Sequence, residues 1–76
     1  MQVTELAVGL TDSKGELVRL YDWLAQRKIT VREINLKRKE GNSVKIVLYI
    51  AMPRHFDKAD FLRLQEDIPG VQSVEI

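Results

Sequence analysis

Seventy-six residues with 45% hydrophobic side chains make one small globular domain, and the absence of cysteine removes disulfides, thiolate catalysis and cysteine-based metal sites together. Twelve basic and eleven acidic side chains leave a net charge of +1, without the basic excess of a dedicated nucleic-acid binder. No apolar run approaches the roughly 20 residues that cross a bilayer, and the longest, IVLYIAM at 46–52, has the length of a strand.

The first stretch alternates: Leu6, Val8 and Leu10 face one way, and Glu5, Ala7 and Gly9 the other, which predicts a strand beginning near Val3. TDSKGE at 11–16 is then a strand-to-helix turn. Leu17, Leu20, Tyr21 and Leu24 follow at helical spacing, widened by Val18 and Trp23, while Glu16, Arg19, Asp22, Gln26 and Arg27 cover the remaining surface. A second strand runs from about Thr30 to Lys39, and its inward phase slips between Val31 and Ile34, which predicts a bulge. Glu40, Gly41 and Asn42 make a hairpin connection to a third strand over 44–51 that is apolar on both faces. Pro53 stops that strand. Asp57 is placed to cap a second helix with Phe61, Leu64 and Ile68 as its buried stripe, and Pro69-Gly70 ends it. Val71, Val74 and Ile76 read as a short last strand.

The order β-α-β-β-α-β with right-handed crossovers gives an α+β fold: a ferredoxin-like sandwich with both helices on one face of a four-stranded antiparallel sheet, strand order 4-1-3-2. One face of the sheet is then uncovered, leaving Ala7, Gly9, Val47, Tyr49 and Ala51 near solvent. Read structurally, this is a modest apolar surface of the kind soluble proteins carry. Read functionally, it is a partner surface for a second copy or for the rest of a parent chain, met by sheet packing or by edge-to-edge pairing.

Catalytic chemistry is sparse. His55 is the single histidine, so no histidine-rich metal cluster is available. Ser13 and Ser43 have no base beside them in the sequence. Asp57 and Asp60 are accounted for by capping, and Glu66 with Asp67 lacks a third oxygen ligand nearby, so neither a catalytic residue, nor a metal site (Mg²⁺ included), nor a cofactor is expected. RNA-recognition modules share this order of elements, but the third strand, SVKIVLYIA, carries one aromatic and no Lys/Arg-Gly-Phe/Tyr opening. Arg27, Lys28, Arg32, Lys37, Arg38, Lys39 and Lys45 form a basic stretch interrupted by Glu33 and Glu40, suited to a solvated hairpin, a lipid surface or an acidic partner. Nucleic acid is not an expected partner.

Asp12-Ser13-Lys14-Gly15, Leu17, the Leu20/Leu24 stripe, ITVREINLKRKEGNSVKIVLYIA and IPGVQSVEI together resemble the small regulatory domains called ACT, over nearly the whole chain. Those domains commonly open the first helix with Asp-x-Pro-Gly-x-Leu; here Asp12 and Gly15 match, and Lys14 stands at the proline position. MPRHFD after the third strand, followed by FLRLQEDIPGVQSVEI, is most similar to the soluble C-terminal domain of MgtC/SapB-type membrane proteins, with the terminal ACT domain of RelA/SpoT-type alarmone enzymes as the competitor. The first resemblance implies a regulatory tail, residues 1–76 being a single domain of a larger protein. It would be cytoplasmic, held at the inner membrane by its parent, with no segment of its own inserted. The resemblance to amino-acid-binding ACT domains implies a ligand loop at Asp12, Ser13, Lys14 and Gly15 and a site at a dimer interface. A helix N-terminus receives a carboxylate, and Gly15 permits close backbone approach there. Gly15→Val is expected to destabilise the junction by crowding it.

Overall fold

The computed structural model describes residues 2–13 and 15–76. β1 (Gln2–Thr11) buries Leu6, Val8 and Leu10 on one side, as its alternation predicts. The chain then turns and enters α1 (Glu16–Gln26) from Gly15, whose φ of 94° lies in the left-handed region. The Glu16 N–H donates to the Ser13 carbonyl at 3.3 Å, and the Arg19 N–H donates to the Gly15 carbonyl at 2.8 Å, so backbone alone closes the first turn.

α1 presents a different stripe from the one its leucines suggest. Glu16, Leu20, Trp23 and Leu24 are buried; Leu17 and Val18 are exposed and Tyr21 is half-buried. Positions 16, 20, 23 and 24 form an i, i+4, i+7, i+8 row, and the helix docks on that row although its first member is a glutamate. The other end of α1 is a Schellman closure: the Ile29 N–H donates to the Leu24 carbonyl at 3.0 Å and the Lys28 N–H to the Ala25 carbonyl at 3.0 Å. Lys28 takes the left-handed position of that motif, with φ 61°, and buried Ile29 brings the chain back to the core.

β2 (Thr30–Glu40) pairs with β3 (Ser43–Met52) through a register that skips Arg32 and Lys37. The first slip is the expected bulge, and the second is an addition to it. Together they keep Val31, Ile34 and Leu36 opposite the core-facing Ile50, Leu48 and Ile46. β3 ends at Met52, before Pro53. Asp57 caps the next segment as expected, its carboxylate accepting from the Ala59 N–H at 2.9 Å. The segment itself is a 3-10 helix, Lys58–Arg63, that passes into a single α turn, α2 (Leu64–Asp67). Phe61 and Leu64, both fully buried, lie three apart, the spacing that stacks side chains in a 3-10 helix. Ile68 precedes Pro69 and adopts an extended conformation, φ −123° and ψ 106°, which ends the helix.

β4 (Val71–Glu75) completes a sheet of order β2-β3-β1-β4 with every pairing antiparallel. A register shift between Gly9 and Leu10 leaves Gln72 outside the ladder, and this irregularity explains why Val71 and Val74, three apart, both pack towards the core. The helical segments lie on one face, and the core between the layers centres on Phe61, whose ring lies 5.0 Å from that of Phe56 and 6.0 Å from that of Trp23. This is the ferredoxin-like arrangement with strand order 4-1-3-2. Among the described residues no helix is long and apolar enough to cross a membrane.

Candidate interaction face and first-loop site

The uncovered face of the sheet is organised in rows running across the strands. In the middle row Ala7 pairs with Val47, Val47 with Asn35, and Ala7 with Glu75 on its other side. One step towards the hairpin the row reads Arg38, Lys45, Gly9, Ser73. One step the other way it reads Glu33, Tyr49, Glu5, and beyond that Thr30, Ala51, Val3. The five residues singled out in the sequence therefore do share one face. They do not all reach solvent: Ser73 Oγ stands 2.5 Å from where a Cβ on Gly9 would sit, and Ala51, 1% exposed, is a short side chain on a strand flanked by Val3 and Thr30. Tyr49 is 37% exposed, and Ala7 and Val47 are half-buried. The apolar strip is thus narrow and has a basic row on one side and an acidic row on the other.

Local pairings hold the charges in place. Lys45 Nζ donates to Glu75 Oε1 at 3.0 Å, Arg38 Nε lies 3.7 Å from Glu40 Oε1, and Asn35 Nδ2 donates to Glu33 Oε2 at 3.3 Å. The Glu5 carboxylate, placed to accept a hydrogen bond from the Tyr49 phenol, raises the pKa of that phenol above its ordinary value, and the charge of Glu33 adds to the effect. A shallow depression of about 170 Å³ opens between Arg38, Lys45, Gly9 and Ser73, where glycine leaves the sheet without a side chain.

The first loop is less open to a ligand than its glycine suggests. Lys39 Nζ lies 3.1 Å from Asp12 Oδ2, so the Asp12 carboxylate is engaged by the hairpin. Ser13 is exposed, and Lys14 lies outside the described residues. Chain neighbours apart, a Cβ at Gly15 would meet nothing within 4 Å among the described residues, so crowding is the wrong reason for the glycine; its left-handed φ is the right one. Glu16, 7% exposed, lies against Gly70 and pairs with Arg19 through Oε1, while its Oε2 has no hydrogen-bond partner among the described residues. A carboxylate therefore already stands at the N-terminus of α1, where the helix dipole favours one.

The remaining candidates have structural roles or none. Asp67 accepts a hydrogen bond from the Trp23 indole at 2.8 Å, and Arg27 lies over that ring, 3.7 Å from its centroid, and 3.6 Å from Asp67. His55 is exposed, and no group of three His, Cys, Asp or Glu side chains among the described residues is placed to hold a metal. The basic stretch does not act as one patch. Arg27, just past the end of α1, is tied to Trp23 and Asp67, Lys39 belongs to the Asp12 pair, and Arg38 and Lys45 are neighbours on the open face. The acidic row of Glu5 and Glu33 escapes a reading of the sequence because 27 intervening residues separate its members.

Neither a family profile nor any curated protein sequence matches the chain. Solved structures match its fold. A formyltetrahydrofolate deformylase from Pseudomonas putida superposes with a TM-score of 0.75 and 18% identity, over 99% of this chain and 29% of that one. The chain thus spans less than a third of the deformylase. The C-terminal domain of the MgtC protein from Mycobacterium tuberculosis gives 0.72 and 19%, over 99% of this chain and 84% of that domain. The ACT domain of the GTP pyrophosphokinase of Chlorobium tepidum gives 0.65 and 18%, over 96% and 94%. The fold is that of the ACT-like domains. At these identities the likeness is one of architecture, and it carries no residue role across.

Proposed function

We propose that this chain is a non-catalytic regulatory domain that acts by docking its open sheet face. We further propose that it is the cytoplasmic C-terminal domain of an MgtC/SapB-type membrane protein, held at the inner membrane by its parent. The carrying observation is the uncovered face itself, with Val47 and Ala7 between an Arg38–Lys45 row and a row in which Tyr49 stands between Glu33 and Glu5. Charged rows flanking a narrow apolar strip provide orientation and partner selection more than raw affinity, which suits a regulatory contact. The specific parent is supported by a shared architecture covering 84% of the MgtC C-terminal domain and by the MPRHFD and IPGVQSVEI segments.

An amino-acid-sensing ACT domain is the second reading, favoured by the open space over Gly15. It is disfavoured by Glu16, since a ligand carboxylate approaching the start of α1 would meet a buried carboxylate already there. Titration of the ¹⁵N-labelled chain with each amino acid separates the two. A docking domain leaves the amides of residues 9–17 unmoved by every amino acid, whereas a saturable shift confined to that segment would establish the sensor. The coding sequence upstream tests the parent: several apolar helices are expected there, and an alarmone-enzyme body would refute the assignment.

A further inference from the structure

We infer that the end of the molecule at which β1 begins lies against an anionic lipid surface, held there by Lys28, Arg32, Arg54 and Lys58. The inference rests on the reading of the chain as the tail of a membrane protein and adds which end of the domain meets the bilayer. The sheet brings these cations together from two separate parts of the sequence. Gln2 pairs with Met52, and Thr30 with Ala51, so the start of β1, the start of β2 and the end of β3 share one end. Lys28 stands in the turn that leads into β2, and Arg32 on the first bulge of that strand. Arg54 lies in the loop after β3, and Lys58 opens the 3-10 helix. All four are exposed, and none forms an ion pair among the described residues.

The hairpin end differs. Its cations are engaged: Lys39 with Asp12, Lys45 with Glu75 and Arg38 with Glu40. β3 runs between the two ends for 10 residues, about 30 Å, several times the roughly 8 Å over which physiological salt screens a charge. Each end therefore presents its own charge. The carboxylates beside the four cations are Asp57, which caps the Ala59 N–H, and half-buried Asp60. Glu33 and Glu5 lie farther in, on the open face. Anionic lipid repels that row, which turns the contact on to the loops at the end of the sheet and leaves the open face to a protein partner.

A membrane part that precedes the chain joins it at the start of β1, which is at this end. A domain held there needs little affinity of its own, because the tether supplies a high effective concentration. Each Lys or Arg near an anionic leaflet strengthens binding about fivefold. Four of them beside two carboxylates make a contact that is weak in a free domain and sufficient in a tethered one.

Flotation of the 76-residue chain with phosphatidylcholine vesicles containing increasing phosphatidylglycerol, at low salt, tests the assignment. Binding is expected to rise with the phosphatidylglycerol fraction, to fall as salt is added, and to broaden the amides of residues 28, 32, 54 and 58. Lys28→Asn combined with Arg54→Gln and Lys58→Gln should weaken it roughly a hundredfold. Asparagine tolerates the left-handed backbone at position 28. Arg38→Gln combined with Lys39→Gln and Lys45→Gln removes as many charges from the hairpin end and should leave binding within about fivefold of the wild type. Circular dichroism checks that both variants fold. Absence of binding to pure phosphatidylglycerol vesicles overturns the inference, as does equal weakening by the two variants. Tighter binding to a single-stranded RNA oligomer than to those vesicles overturns it as well. Apolar helices upstream together with no vesicle binding would refute the lipid contact and leave the parent reading intact; vesicle binding below an alarmone-enzyme body would do the reverse.

Discussion

Two residues with positive φ make opposite predictions. Gly15, at φ 94°, and Lys28, at φ 61°, both lie in backbone territory that a Cβ disfavours by about 1–2 kcal/mol. Gly15 suits its position, so Gly15→Val should cost roughly that amount in a denaturant melt even though nothing crowds the site. An unchanged midpoint would mean that the loop relaxes around the new side chain. Lys28 occupies the Schellman position where glycine is the usual residue, so Lys28→Gly should raise stability by about 0.5–1 kcal/mol. A loss would show that the lysine side chain makes a contribution larger than its backbone cost. The sequence reveals Gly15 as a turn glycine, but the cause of its selection is a torsion angle, which no residue pattern displays.

Tyr49 reports on the charge of the open face. Its pKa is raised by the Glu5 carboxylate first and by Glu33 last, so the folded state favours the neutral phenol. A group whose folded pKa exceeds its unfolded value contributes stability below the unfolded pKa and loses it as pH rises through the folded one. In a Tyr21→Phe background, absorbance titration of phenolate should find Tyr49 ionising above the ordinary phenol range. Glu5→Gln should move that titration to lower pH, and an unmoved curve would separate Tyr49 from Glu5.

Among the elements, the strands were legible because alternation has a period of two and burial on one face enforces it. Leu6, Val8 and Leu10, and Ile46, Leu48 and Ile50, announce their own register. α1 was legible as a helix and misread in rotation. Leu17 and Val18 look like core, yet Glu16 is buried in their place because Arg19 pairs with it and Gly70 leaves room beside it, and only the fold brings Gly70 near. The second helical segment is legible in its cap and stop, Asp57 and Pro69, but its 3-10 character over Lys58–Arg63 has no signature in the sequence, since the spacing of Phe61 and Leu64 suits an α-helix as well.

The β1–β4 junction yields a prediction at the same scale. Gly9 faces Ser73 across the ladder so closely that a Cβ would meet its hydroxyl oxygen at 2.5 Å. Gly9→Val should therefore force β4 outward and cost about 1–3 kcal/mol. Ser73→Ala in the same chain should recover part of that loss, and the coupling is read from a double-mutant cycle of melts. Additive losses would mean that Ser73 simply turns aside.

For the molecule as a whole, the fold could be read from the chain because each local signal agrees with one topology. The working surface was only half legible. Its apolar strip shows in the sequence as outward-facing Val47 and Tyr49, whereas the row of Arg38 with Lys45 and the row of Glu33 with Glu5 arise from sheet register and two bulges. The bulges also leave Leu36, 63% exposed, on the helix-side face of edge strand β2, a second apolar surface that competes with the open face as a point of contact. The measurement that tests the central claim most directly is titration of the ¹⁵N-labelled chain with each amino acid in turn. The account predicts that the amides of residues 9–17 stay unmoved at every concentration. A saturable shift confined to that segment would contradict it.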